Sequence, residues 1–305
     1  MNRPNKTLIL GNGFDLDLGL PTTYASFAAS QFWPLKDDYS VYSPLAQILQ
    51  DAKNTQRWFD IEDILFRYAR KRKLTEEDQV YRVFGSVAND KEVYRKICDA
   101  LCAYIKEIQL CRRINKDSLA AKVLNAIITN GSFNEVLSFN YTNLDNLCSR
   151  IGCKSISYKH VHGSAEKGAV ILGVSDRHKL QRGYDYLCKA QNIYYKSSGV
   201  RTALKESSEV VFFGHSLGLQ DIAYFSDFIL DSSNVNQSSE ERRRITFFSK
   251  DVSSQEQLML NIRALNPDSF GQFRDLNDVV FIRSEDVNKE DLDEFFEHLT
   301  HTRLA

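Results

Sequence analysis

Apolar and polar positions follow two different rhythms along the chain. Thr7-Leu8-Ile9-Leu10 is a short apolar run that stops at Gly11-Asn12-Gly13. Beyond it Thr22 or Thr23 can cap a helix from Tyr24 to Phe32, so the opening predicts strand, tight turn and helix. From about residue 43 to 129 the spacing becomes helical. Phe59, Ile61, Ile64, Leu65 and Tyr68 form one stripe, and Val93, Ile97, Leu101, Tyr104, Ile105 and Ile108 form another. After this block, strands are predicted at Glu135–Phe139, Ile156–His160, Ala169–Leu172, Glu209–Phe213, Ile245–Ser249 and near Val279–Ile282. Helices are predicted from Leu144, from Asp221 and over Glu290–Leu299, and the Ser-, Asn- and Gln-rich stretch Asp231–Glu241 reads as a flexible loop. Strands interleaved with helices form a mostly parallel sheet covered on both faces. The expected class is α/β: a doubly wound, mostly parallel sheet from residues 1–42 and 131–305, with 43–130 as an all-helical insertion.

Charge narrows the list of partners. Lys plus Arg (39) nearly cancels Asp plus Glu (40), so no whole-molecule field recruits nucleic acid or an anionic membrane. Arg67, Arg70, Lys71, Arg72 and Lys73 are expected to make a solvated helix face. No apolar stretch approaches the roughly 20 residues that span a bilayer. The opening Met1-Asn2-Arg3-Pro4-Asn5-Lys6 runs straight into a strand, so a cytoplasmic protein with no membrane partner is expected. The six cysteines are scattered. Cys98 and Cys102 are four apart and Cys148 and Cys153 five apart, a spacing that writes no zinc ribbon and no disulfide framework.

Candidate chemistry gathers where strands break into polar residues. Gly11 and Gly13 lie between the first strand and its helix, where backbone N–H groups of residues 11–14 can approach a pyrophosphate. That is a Rossmann-like arrangement, the alternative being a plain tight turn. Leu16 stands where the G-x-G-x-x-G fingerprint needs its last glycine, which argues against a hydride-transferring dehydrogenase. Asp15 and Asp17 can contact a ribose hydroxyl or cap the helix. Asn140 ends an apolar strand, where an amide satisfies backbone groups or orients a ribose hydroxyl or a water. His160 and His162 share one strand face; His160 reads as structural and His162 as a general base, with no third ligand nearby for a metal. Gly214-His215-Ser216-Leu217-Gly218 fits a serine-hydrolase elbow. It also fits a second close-approach turn whose Ser216 bonds a phosphate or ribose. The bulky or polar Leu219-Gln220-Asp221, and His298 and His301 in a helical pattern, weigh against the elbow.

The order of these segments carries a resemblance. Gly11-Asn12-Gly13-Phe14-Asp15 with Gly19-Leu20-Pro21, then Phe139-Asn140-Tyr141-Thr142-Asn143, His160-Val161-His162-Gly163, and Gly214-His215-Ser216-Leu217-Gly218 with Asp221 resemble the AbiH family of bacterial phage-defence proteins. More distantly they resemble sirtuin-like NAD hydrolases. The match covers most of the chain outside the helical block. It implies an abortive-infection protein that binds NAD, as ligand or substrate, and hydrolyses it to nicotinamide and ADP-ribose without a metal. Asn140 then holds the nicotinamide ribose and His162 is the general base, while Gly11, Asn12, Gly13, Phe14, Asp15, Thr142, Gly214, Ser216 and Asp221 bind the dinucleotide. The related enzymes usually carry Asp where Thr142 stands. Without cysteine pairs protein deacylation is not expected, and water is the acceptor. The helical block, with Trp58 and Glu62, is expected to serve as a lid, a sensor or a homo-oligomer contact, and a phage-derived trigger is implied. A non-catalytic NAD or ADP-ribose sensor and a serine hydrolase using Ser216 stay open as alternatives.

Overall fold

A computed structural model describes residues 5–35, 43–55, 59–71, 86–130, 133–236, 242–267 and 270–301. Trp58, Arg72, Lys73 and the far end of the 231–241 stretch lie outside the described residues. The chain divides into two compact units. One takes residues up to 20, 112–161 and those from 197 on; the other takes 21–111 and 162–196.

The first unit is built on a six-stranded parallel sheet. Its strands are β1 (Asn5–Leu10), β2 (Glu135–Ser138), β3 (Lys159–His160), β6 (Ser207–Phe213), β7 (Arg244–Ser249) and β8 (Asp278–Arg283). They lie in the order β3-β2-β1-β6-β7-β8. Register follows the apolar runs: Leu8 pairs with Val136 on one side and Val211 on the other. Because side chains alternate along a strand, each run feeds two cores. Leu8, Leu10, Val136, Val211, Phe213 and Phe248 point to one face. It is covered by α1 (Asn12–Asp17), α6 (Leu119–Asn130), α7 (Leu144–Ile151) and α12 (Lys289–His301). Ile9, Leu137, Val210, Phe212, Ile245 and Phe247 point to the other. That side is covered by α8 (Val200–Glu206), α9 (Ile222–Ser232), α10 (Val252–Leu265) and α11 (Phe270–Asp275). Stacked rings tie neighbouring strands together on both faces, Phe212 on Phe247 at 4.8 Å and Phe213 on Phe248 at 4.9 Å. Such pairs contribute about 0.5–1.5 kcal/mol each beyond area burial.

Local capping agrees with the sequence in places and departs from it in others. Asn143 accepts from the Asn146 N–H at 3.0 Å and starts α7. Asp17 does not cap its own helix: its Oδ2 accepts from Ala120 N–H at 2.7 Å and caps α6, more than a hundred residues away. Such a cap stabilises a helix by about 1 kcal/mol.

The second unit holds α2 (Tyr24–Ala28), α3 (Pro44–Thr55), α4 (Ile61–Lys71) and α5 (Ser86–Cys111), with a short hairpin, β4 (Gly163–Ser164) and β5 (Ala169–Val170). Thr23 caps α2 by accepting from Ser26 N–H at 3.0 Å. The helix stops at Ala28, short of Phe32, and just beyond it the Ser30 hydroxyl donates to the Phe27 carbonyl at 2.7 Å. Both predicted helical stripes are buried, from Phe59 to Tyr68 on α4 and its approach and from Val93 to Ile108 on α5. The segment expected as a strand at Ala169–Leu172 does not join the parallel sheet. It folds back antiparallel on Gly163–Ser164, because Gly163 at φ +79° brings its Cα so close to the Ala169 carbonyl that a side chain has no room. Among the described residues no helix is long and apolar enough to cross a membrane.

Candidate functional site

The sheet is extended in opposite directions from β1, with β2 and β3 on one side and β6, β7 and β8 on the other. In open α/β sheets the crevice at the carboxyl ends of the strands beside such a reversal is where ligands bind. β1 ends there in Gly11-Asn12-Gly13, and β6 ends in Gly214. These glycines serve first to let two backbones touch. A Cβ on Gly11 would lie 2.5 Å from the His215 Cα, and one on Gly13 would lie 2.6 Å from the Gly214 Cα. Gly214 itself sits at φ +64°. Gly11 N–H donates to the Phe213 carbonyl, Gly13 N–H to the Gly214 carbonyl and Phe14 N–H to the Gly11 carbonyl, each at 2.9 Å. Those three donors are engaged within the protein. Asn12 is exposed at the head of α1, while the Phe14 ring is buried edge-on to Phe213 at 5.6 Å.

Below this turn three of the sequence candidates converge. Asp15 is only 1% exposed, and its carboxylate accepts from the Asn140 amide at 2.9 Å and from the Thr142 hydroxyl at 2.9 Å. Burial pushes the Asp15 carboxyl up to about 7, outweighing the two donors that favour its charge. The same Asn140 nitrogen donates to the Gly11 carbonyl at 3.0 Å, joining the ends of β1 and β2. His160 lies beside them and its Nδ1 is 3.0 Å from the Asn140 carbonyl. Since a carbonyl only accepts, that nitrogen carries the proton. Tyr158 lies edge-on to the same ring at 5.1 Å.

The second turn is not shaped as a nucleophile elbow. In an elbow the serine itself occupies the strained position between strand and helix. Here the positive φ falls on Leu217, at 53°, and α9 begins only at Ile222. Ser216 is exposed, and its carbonyl accepts from Asn261 at 2.8 Å. His215 is buried against Phe139 and Phe225. Its Nδ1 accepts from Leu217 N–H at 3.0 Å, and its Nε2 lies 3.8 Å from Asp221. That ring orders the turn and is not aimed at Ser216 as a base.

His162 belongs to the second unit, where it meets a buried ion pair. The Lys189 ammonium lies 3.3 Å from His162 Nε2 and 3.1 Å from Glu62, whose carboxylate also accepts from Gly173 N–H at 3.0 Å. An ammonium only donates, so Nε2 accepts and the ring proton sits on Nδ1. His162 and Lys189 are 4% and 3% exposed, so this cluster is a built interior feature. Lys189 carries no mark in the sequence: it is one lysine in Leu187-Cys188-Lys189-Ala190 and finds its partners only through the fold. The same is true of Asp90, which accepts from the hydroxyls of Ser43, Tyr68 and Tyr184 and from Leu45 N–H. The carboxylate beside it, after burial, pushes the Tyr68 phenol up.

All six cysteines are free thiols, and burial pushes Cys98 and Cys148 up to about 12, which makes them poor nucleophiles. Among the described residues no group of three or more His, Cys, Asp or Glu side chains is placed to hold a metal ion.

A family model described as bacteriophage abortive infection AbiH matches residues 7–247, well over half of the chain. No curated protein and no solved structure matches it.

Proposed function

The chain belongs to the bacteriophage abortive infection AbiH family, and from that premise we propose that it acts in abortive infection as a sirtuin-like NAD hydrolase. NAD is taken at the carboxyl edge of the six-stranded sheet. The observation that carries this reading is the strand order. Counting only the strands of the sheet, β3-β2-β1-β6-β7-β8 is the 3-2-1-4-5-6 order of Rossmann-like dinucleotide-binding sheets. The two strands at the reversal, β1 and β6, are the two that end in touching glycine turns. Ser216, exposed just after the second turn, offers a hydroxyl for a phosphate or ribose.

In this reading the bond broken is the one between nicotinamide and ribose. Its electron pair leaves with nicotinamide, the ribose passes through an oxocarbenium-like cation, and water adds to give ADP-ribose. Asn140 orients the nicotinamide ribose; the base role that the resemblance implies for His162 requires its Nε2 to be released from Lys189, because Nδ1 carries the ring proton. NAD loss in response to a phage-derived trigger then arrests the infected host. Each of these roles is tested by its own variant.

The experiment is direct: purified protein is incubated with NAD and nicotinamide release is followed. Sustained release is expected. A second reading, a sensor that binds NAD or ADP-ribose without cleaving it, is favoured by one observation. Thr142 stands where sirtuin-like enzymes carry Asp, and its hydroxyl is bonded to Asp15. Calorimetric NAD binding with no nicotinamide release supports the sensor. Stoichiometric labelling of Ser216 by a fluorophosphonate would support a serine hydrolase instead.

A further inference from the structure

Asn140 is held on every side. A carboxamide has two hydrogens on nitrogen and one acceptor oxygen. Its Nδ2 donates to the Gly11 carbonyl at 3.0 Å and to Asp15 Oδ1 at 2.9 Å, so both hydrogens are spent inside the protein. Its backbone N–H donates to Ser138 Oγ at 3.2 Å, and its carbonyl accepts from His160. The amide has only one workable orientation. Exchanging its nitrogen and oxygen would set Oδ1 against a carbonyl and a carboxylate oxygen, two acceptors facing a third. Asp15 is itself held by the Thr142 hydroxyl, which reaches both of its oxygens, at 2.9 and 3.2 Å.

We propose that Asp15 is a positioning residue. It locks the Asn140 side chain so that only Oδ1 is presented, and the ligand group received at this strand end is a hydrogen-bond donor or a centre of positive charge, never a phosphate. The proposal rests on the NAD reading and sharpens it. The parts of NAD with that chemistry are the ribose hydroxyls and the cation that forms as nicotinamide leaves. A fixed acceptor dipole favours the charge that develops in the transition state over the ground state. Asp15 acts through hydrogen-bond acceptance and does not touch the ligand, in contrast to the ribose contact or helix cap expected from its place in the sequence.

The test has one readout that needs no NAD. In 15N NMR of the full chain, the Asn140 side-chain amide pair is identified by its loss in Asn140→Ser. Its exchange with solvent is then compared in the wild type and in variants. Asp15→Ala should speed that exchange about tenfold or more. Asp15→Asn should not, because its Oδ1 still accepts from Asn140 while its own amide donates to Thr142. If Asp15→Ala fails to fold, Asp15→Ser, which is too short to reach Nδ2, is read in the same way. The second readout is nicotinamide release. Asp15→Ala should lower kcat about tenfold or more while KM moves less than about threefold, and Asp15→Asn should restore most of the loss. A pair that exchanges equally fast with and without the Asp15 carboxylate overturns the proposal. So does wild-type kcat in Asp15→Ala when the wild type turns NAD over. If the wild type releases no nicotinamide, the hydrolase reading fails, and amide exchange alone decides the role of Asp15.

Discussion

Two buried carboxylates in the sheet unit respond to burial in opposite ways. Glu209, near the amino end of β6, stands in register with Lys6 of β1 and bonds to the Lys6 ammonium and, at 3.0 Å, to His298 of α12. Burial alone would raise its pKa, but those two partners hold it below the ordinary glutamate value. Asp15, just past the carboxyl end of β1, has the burial without the cations. Its partners are an amide and a hydroxyl, and it is pushed up to about 7. One edge of the sheet is closed by paired charge, while the other keeps a carboxylate with no counter-charge at a cost in stability. Uncompensated burial of this kind concentrates at functional sites. The contrast makes Asp15 the carboxylate to test at the carboxyl edge.

The comparison is sharpest in its pH dependence. Below about pH 4 Asp15 is protonated both folded and unfolded, and it contributes nothing. Between about pH 4 and 7 the unfolded chain loses this proton while the folded protein retains it, so stability falls as pH rises and levels off above 7. In full the effect is about 4 kcal/mol. Asp15→Asn should remove it, leaving the variant more stable than the wild type at pH 8 and matched to it near pH 4. Denaturant titrations at both pH values check this; parallel wild-type and variant curves would break the comparison. Glu209 has the opposite sign, since its stabilisation is present above its ordinary range and is lost as pH falls through its lowered pKa.

Removing the Glu209 charge leaves Lys6 buried without its partner. Glu209→Gln should therefore cost about 3 kcal/mol in a thermal or denaturant melt at pH 7, with NAD affinity unchanged. A loss well under 1 kcal/mol would mean that the amino edge does not depend on this pair.

At the other edge the expected loss is chemical. Asn140→Ala should keep much of the NAD affinity but lower nicotinamide release by roughly 100-fold or more; His162→Ala, in the second unit, tests the proposed general base separately and should lower release on the same scale. His160→Ala should cost stability instead, because that ring supports the Asn140 backbone. Wild-type turnover in both Asn140→Ala and His162→Ala would reject both assignments. The smallest effect is expected at Ser216. Ser216→Ala should weaken NAD binding by about 1–2 kcal/mol, the scale of one lost hydrogen bond, as calorimetry would measure.

Several of these features could be read in the sequence because their causes are local. Thr23 caps its helix through a residue three positions on, and the stripes on α4 and α5 repeat every three or four residues. The glycines at 11, 13 and 214 were legible as places of close approach. What approaches them in the structure, however, is the other turn's backbone, and no local rule names a partner some two hundred residues away. Asp17 shows the same limit: a carboxylate at the end of a short helix suggests a local cap, but the N–H it meets belongs to α6.

From its sequence alone this protein is an alternation of apolar strands and amphipathic helices, with strand-end motifs in the order of the AbiH family. The alternation depends on side-chain periodicity over a dozen residues at most, and the motifs on their order along the chain. Only the tertiary structure decided that β1 lies between β2 and β6, that Asn140 spends both amide hydrogens on Gly11 and Asp15, and that Glu62 and Lys189 meet beside His162. It also decided the direction of each pKa shift. Burial and the distance to a counter-charge are set by chain segments that meet across more than a hundred residues, and a carboxylate's own neighbours in sequence do not fix either quantity.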